Sequence, residues 1–335
     1  MAKADRFPMP SLADRVRAID AGAMVVGVHF LGTAPVFVLG EEAVLFLSAG
    51  GSRRIAIHSG AILASEADGA RLVTGGDDGR LVAVDAEGSH RVLAADGAGR
   101  WIDQVALGGN GAVAWSAGRV AHVLTAKGDE RIFEAPSTVA GLAFAPKGFR
   151  VAIAHYNGAT LWFPDAPAVP PARLDWKGSH LAVRFSPDGR FLVTAMQEPT
   201  LHGWRLADGQ SMRMSGYATR VRSLSWTADG KFLATSGAER LVLWPFDGKA
   251  GPMGRAPRLV AVGDTHIVMV ACHPRRPVAA VGTEDGTVAL VRLDDGALIE
   301  ARAGTASPVS ALAWDATGGQ LAFGCENGEA GLLSL

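Results

Sequence analysis

Two cysteines, Cys272 and Cys325, are all that the 335 residues contain. Two thiols cannot build a disulfide framework or a four-ligand zinc site. Helical periodicity is scarce: beyond the N-terminal dozen residues, no stretch keeps its apolar residues on one helical face. Charge of either sign is balanced, with a formal net of -1. No basic field attracts nucleic acid, and the basic residues, 26 arginines and 6 lysines, are dispersed without an aromatic-interleaved run. Also missing are Cys-x-x-Cys, His-Glu-x-x-His, Gly-x-Ser-x-Gly and Gly-x-x-x-x-Gly-Lys-Ser/Thr, so no common hydrolase, zinc or nucleotide motif is present. The N-terminal MAKADRFPMPSLADRVRAIDAG shows no signal-peptide pattern, which gives a cytoplasmic expectation. No membrane association is expected. Ala23–Gly40 is apolar enough to suggest a span, but Gly32–Pro35 reads as a turn between two short buried strands.

Glycine is abundant, at 42 residues, and scattered, which means many turns and many short elements. Two stretches show why. RFSPDGRFLVTAM (Arg184–Met196) and SWTADGKFLATSG (Ser225–Gly237) are versions of one unit. Aligning the last apolar residue before each turn gives Phe30, Ser65, Leu107, Phe144, Phe185, Trp226, Cys272 and Trp314. The spacings are 35, 42, 37, 41, 41, 46 and 42 residues. A period near forty suits a four-stranded unit, and shorter helical repeats do not fit it.

Within the unit, VRSLSW (Val221–Trp226) and VSALAW (Val309–Trp314) alternate small and large residues, the period of a strand. The Asp-Gly turns then close hairpins. A polar turn such as GGDDG (Gly75–Gly79) or TEDG (Thr283–Gly286) leads to a third strand, and a more polar fourth follows. The chain stops on a third strand, GLLSL (Gly331–Leu335), while RVRAIDAG (Arg15–Gly22) has the character of a fourth. Start and end are therefore expected to complete one unit and close a ring, leaving no unpaired edge.

These units resemble the WD-repeat family of β-propellers. The SPDG and TADG turns, the TGGDDG and GTEDG turns and the third-strand Trp162, Trp204 and Trp244 carry the resemblance over roughly Arg15–Leu335. It implies an all-β, single closed β-propeller of four-stranded blades, eight by this count although seven is the family's common number. The expected organisation is a tail at 1–14 and a closing strand at 15–22. Units follow at 23–57, 58–99, 100–136, 137–177, 178–217, 218–263, 264–305 and 306–335. No Trp-Asp closes a third strand and no Gly-His opens a unit, so the family's buried polar network is expected to be partial or absent. Its best remnant is Tyr217, Thr235 and Trp244.

Glycine-rich GGNG (Gly108–Gly111) and GKAGPMG (Gly248–Gly254) open no helix and read as turns. Asp77 and Asp78 supply too few oxygens for calcium and read as solvated turn acids. Arg184 and Arg222 interrupt apolar first strands, so each is expected to reach the channel or an acidic turn.

By analogy with the family, first-strand starts and second-to-third-strand turns share the top face. That face gathers Arg100, Trp101, Arg119, His155, Tyr156, His180, Arg220, Arg240, His266 and Glu326. Aromatic residues and arginine are enriched in protein-binding hot spots. The expected function is a non-catalytic scaffold, a monomeric ring binding a partner protein or peptide through the top face and channel mouth. No cofactor and no catalytic residue is expected. The alternative is an enzyme or a metal- or cofactor-binding propeller with a site at the channel mouth, with His180, His266 or Cys325 as metal ligands.

Overall fold

A computed structural model describes residues 10–48 and 50–335; the first nine residues of the expected tail lie outside the described residues. After one short 3-10 turn (Ala13–Arg15), every described element is a strand. The Asp-Gly turns show how the sequence makes them. At Ser186–Gly189 the Ser186 hydroxyl donates to Asp188 Oδ1 (2.6 Å) and accepts from the Phe191 amide (2.9 Å), while Gly189 takes φ 75°. Thr227–Gly230 repeats this, with Thr227 to Asp229 at 2.7 Å and Gly230 at φ 67°. Only glycine takes such angles without steric cost, so each turn fixes its hairpin register.

Among the described residues there are six four-stranded sheets and one continuous sheet of six strands. Two long strands of that sheet serve twice. Val151–Trp162 turns back on itself at Asn157–Gly158, both at positive φ (66° and 139°), as an Asn-Gly hairpin requires. Ala172–Phe185 pairs through Asp175 with Gly158 and then through His180 with Met196. The ring thus has seven separate sheets that carry eight repeats of the four-strand unit, two of them joined through Tyr156 and Ser179. The core agrees. Eight apolar clusters lie between neighbouring units, among them Phe191, Tyr217 and Leu233 between the fifth and sixth. The fold is an all-β propeller, and its stability comes from burying sheet against sheet at about 25 cal/mol per Å² of apolar surface.

The ends close the ring as expected. Val16–Asp20 pairs antiparallel with Glu329–Leu333, from Val16 opposite Leu333 to Asp20 opposite Glu329. Ala21 joins the core that unites Phe37 and Leu39 with Ala311 and Ala322. The apolar Ala23–Gly40 is two strands, Val25–Leu31 and Ala34–Leu39. No helix among the described residues is long and apolar enough to cross a membrane.

One register mark moves. Phe185, Trp226, Cys272 and Trp314 pair with the second residue of the second strand: Leu192, Leu233, Ala279 and Leu321. In the second unit the residue that does so is Ala67, opposite Leu72, so Ser65 stood two positions early. Ser65 instead bonds the half-buried His29 ring at 2.8 Å across the neighbouring unit. Units also approach closely at small residues. A Cβ on Gly282 would lie 2.5 Å from Val309 Cγ1, and one on Gly75 or Gly324 would strike Ile102 or Val25 of the next unit.

Candidate functional site

First-strand starts and second-to-third-strand turns form one face around the central channel. At its mouth lies a cavity of about 650 Å³, between the sixth, seventh, eighth and first units. Arg220 and Arg222 come from the sixth, His266, Met269 and Glu284 from the seventh, Glu326 from the eighth, and Met24 and Val26 from the first. Three of the residues expected at the face, Arg220, His266 and Glu326, therefore meet in one cavity. His266 Nδ1 stands 3.4 Å from Glu284 Oε2, and Arg220 donates to Gln197 Oε1 at 3.2 Å. The Arg222 side chain is exposed and has no ion-pair partner among the described residues. Arg184 reaches open space, where its charge acts on Glu66; burial nonetheless pushes the Glu66 carboxyl up.

The other expected residues spread around the rim. Trp101 is 63% exposed and Tyr156 57%. Arg100 grips Asp96 at 2.6 Å, and this guanidinium draws the Asp96 carboxyl down to about 2. Arg119 pairs with Glu134, and Arg240 is exposed at the start of Arg240–Pro245. Sequence reasoning missed Met24, Val26, Met269 and Glu284, because nothing in an isolated unit marks which apolar or acidic residues meet across a seam.

Two expected face residues are corrected. His155 and His180 are 3% and 0% exposed and cannot touch a partner. His155 Nε2 bonds Thr160 Oγ1 at 2.9 Å, and its Nδ1 bonds the Tyr156 carbonyl. His180 Nδ1 bonds Thr194 Oγ1 at 2.7 Å, and its Nε2 bonds the Trp176 carbonyl at 3.0 Å. Burial holds both imidazoles below their ordinary pKa. With both ring nitrogens engaged, His180 has no lone pair free for a metal. His266 and Cys325 do not join it: no group of three His, Cys, Asp or Glu among the described residues could hold an ion. Cys325 is buried against Arg302 Nη1 at 3.4 Å, and burial pushes its thiol up.

The polar network is richer than expected. Tyr217 OH bonds Thr235 Oγ1 at 2.8 Å and accepts from Trp244 Nε1 at 2.6 Å, so the trio read from sequence is intact. A second set had gone unread. His58 bonds Thr74 Oγ1 (2.8 Å) through Nε2 and Asp78 Oδ1 (2.9 Å) through Nδ1. Asp78 is thus no solvated turn acid, since its side chain is 7% exposed. Burial would raise its pKa, but the Ser59 amide, His58 and the Arg80 amide together bring it below the ordinary value. The available signal was His58 preceding Thr74 by 16 residues, close to the 18 between Tyr217 and Thr235.

Sequence comparison agrees with this network. Residues 209–244, which include the Tyr217–Thr235–Trp244 trio, match the WD domain, G-beta repeat. Residues 270–335 match the anaphase-promoting complex subunit 4 WD40 domain. Two stretches of this propeller thus match WD-repeat models. No curated protein matches its sequence. Among solved structures, the crystal structure of the computationally designed Ika8 protein superposes with a TM-score of 0.78. The match covers 94% of this chain and 98% of that one at 17% identity, a likeness of fold alone. WD-repeat propellers are in general protein-interaction scaffolds rather than enzymes.

Proposed function

We propose that this WD-repeat ring is a non-catalytic scaffold, a monomeric cytoplasmic propeller that captures a partner protein or peptide on its top face and channel mouth. One observation carries the reading. Of the eleven large apolar residues exposed on the described chain, six belong to this face by their place in the units: Met24, Val26, Leu63, Trp101, Tyr156 and Trp176. They are distributed over the first four units rather than gathered in one patch, and exposed apolar surface concentrated on one face favours an interaction site there. The same rim carries Arg220, Arg222 and Arg240. An apolar arc beside guanidinium groups suits a segment that offers a bulky side chain and a carboxylate. The match to a domain of an anaphase-promoting complex subunit supports a role inside an assembly, because that family is named for one.

The test is capture of partners from lysate, followed by mass spectrometry. A triple Trp101→Ala, Arg220→Ala, Arg240→Ala variant should lose the partners and keep its fold by circular dichroism. Lys231→Ala, on the opposite face, should retain them. Loss through Lys231→Ala with retention by the triple variant would refute the proposal.

A further inference from the structure

Several arginines at the turns of this ring are neutralised locally. Arg71 pairs with Asp68, Arg100 with Asp96, Arg190 with Asp188, Arg205 with Asp208 and Arg292 with Asp295. The first hairpin turn of the seventh unit, His273–Pro277, breaks this habit. Among the described residues, the Arg275 and Arg276 side chains have no hydrogen-bond or ion-pair partner. Their backbone amides are held instead: both donate to His273 Nδ1, each at 3.0 Å. His273 is 3% exposed, and its Nε2 donates to the Gly318 carbonyl at 3.2 Å. The imidazole is therefore neutral, with Nδ1 as the acceptor. Burial, reinforced by the two nearby guanidinium groups, keeps it so. Pro274 and Pro277 stiffen the turn further. The result is a rigid mount that presents two unpaired arginines.

Both arginines line a cleft of about 360 Å³ on the bottom face, between the sixth and seventh units. Arg258 enters from the other side, its Nη2 donating to the Asp294 carbonyl at 3.3 Å. Phe232, Leu243 and Leu293 supply apolar lining. Of the two acids there, Asp229 is already bonded by Thr227 and Lys231, which leaves Asp294 against three arginines.

We infer that this cleft is a second binding site, for an acidic peptide segment of a protein partner. Carboxylates of the segment pair with Arg275 and Arg276, and an adjacent apolar side chain enters among Phe232, Leu243 and Leu293. Charge complementarity selects the occupant. Guanidinium forks match carboxylates in bidentate geometry, and this mount spends little entropy on ordering them. His273 acts as a positioning residue through the two amides that it holds.

The probe is a fluorescein-labelled peptide of alternating Glu and Leu, titrated by anisotropy against the full chain. Arg275→Glu with Arg276→Glu should weaken binding by about ten-fold or more, the sum expected of two modest ion pairs. Arg275→Lys with Arg276→Lys should weaken binding less than the charge reversal does, because the charge persists while the bidentate fork is lost. The same peptide with Gln for Glu should not bind, and the top-face triple variant should bind as the unaltered chain does. Melting curves establish that each variant is folded. No binding by the unaltered chain, equal binding by the charge-reversed variant, or equal binding of the Gln peptide would each overturn the inference. Binding that survives the charge reversal but is lost in the top-face triple variant would put the peptide on the top face and overturn the inference for the cleft, so the two sites are distinguished.

Discussion

Tyr217→Phe removes one hydroxyl from the seam between the fifth and sixth units and nothing else. That oxygen sits 2.6 Å from Trp244 Nε1 and 2.8 Å from Thr235 Oγ1, between side chains that are 6% and 0% exposed. Burial raises the phenol's pKa above its ordinary value, so it stays protonated. Without it, Thr235 keeps only a long contact to the Val242 carbonyl (3.4 Å), and the indole N–H has no other acceptor among the described residues. A buried donor left without a partner costs roughly 1–3 kcal/mol. With the lost hydrogen bonds included, the substitution should destabilise the ring by about 2–3 kcal/mol. The sharper quantity is the coupling. Trp244→Phe removes the stranded donor, so it should cost about 1–2 kcal/mol less in the Tyr217→Phe background than in the original chain. The assay is urea unfolding of all four proteins by far-ultraviolet circular dichroism, which the loss of an indole does not disturb. The cycle cancels the volume lost at Trp244. A coupling within about 0.5 kcal/mol of zero would refute the reasoning, because distant or indifferent pairs add to that tolerance.

Two further predictions concern acid and close packing. Burial lowers the pKa of His155, His180 and His273, and takes His29 to about 4 and His202 to about 3, so the unfolded chain binds more protons below its ordinary value near 6.5. These groups give their full stabilisation above pH 6.5 and lose it as pH falls toward 3. Urea midpoints measured from pH 8 to 4 should decline steeply below 6.5. His202→Phe, which keeps a ring against Trp176 (centroids 3.9 Å apart), should flatten the slope by up to about 1.4 kcal/mol per pH unit. An unchanged slope would reject the buried, neutral assignment of His202. Gly282→Ala drives a Cβ to 2.5 Å from Val309 Cγ1 and should destabilise by about 1–3 kcal/mol. Thermal melts indistinguishable from those of the original chain would show that the seam between the seventh and eighth units yields.

Much of the fold was legible because its signals are local. Alternation in VRSLSW and VSALAW, Asp-Gly turns and a period near forty are carried by neighbouring residues, and they led to strands, hairpins and a ring closed by Val16–Asp20. The register error at Ser65 has a physical origin. Ser65 faces His29 of another unit, so its polarity answers to a contact that its own strand does not reveal. The same limit governed the candidate site. His155 and His180 occupy positions on the face but point into the sheets, held by Thr160 and Thr194. The channel-mouth cavity draws on residues from Met24 to Glu326, more than three hundred positions apart. Arg275 and Arg276 look like any exposed pair until His273 is seen to fix their amides.

The histidine–threonine and tyrosine–threonine pairs also explain how a propeller without Gly-His and Trp-Asp dipeptides keeps its top-face turns in place. His58 with Thr74, His155 with Thr160, His180 with Thr194 and Tyr217 with Thr235 each bond across a hairpin close to the top-face turns. Each pair is buried, and a buried hydrogen bond that is fully satisfied resists alternative packing, because breaking it strands a polar atom. The turns that bear Tyr156, and the neighbouring Trp176, are thereby held before any partner arrives. Ordering an interface side chain costs roughly 0.5–1.5 kcal/mol, so aromatics mounted on braced hairpins lose less on binding than they would on free loops. The buried histidines, which looked like candidate contacts in the sequence, act one step earlier: they set the positions of the exposed residues on the proposed binding face.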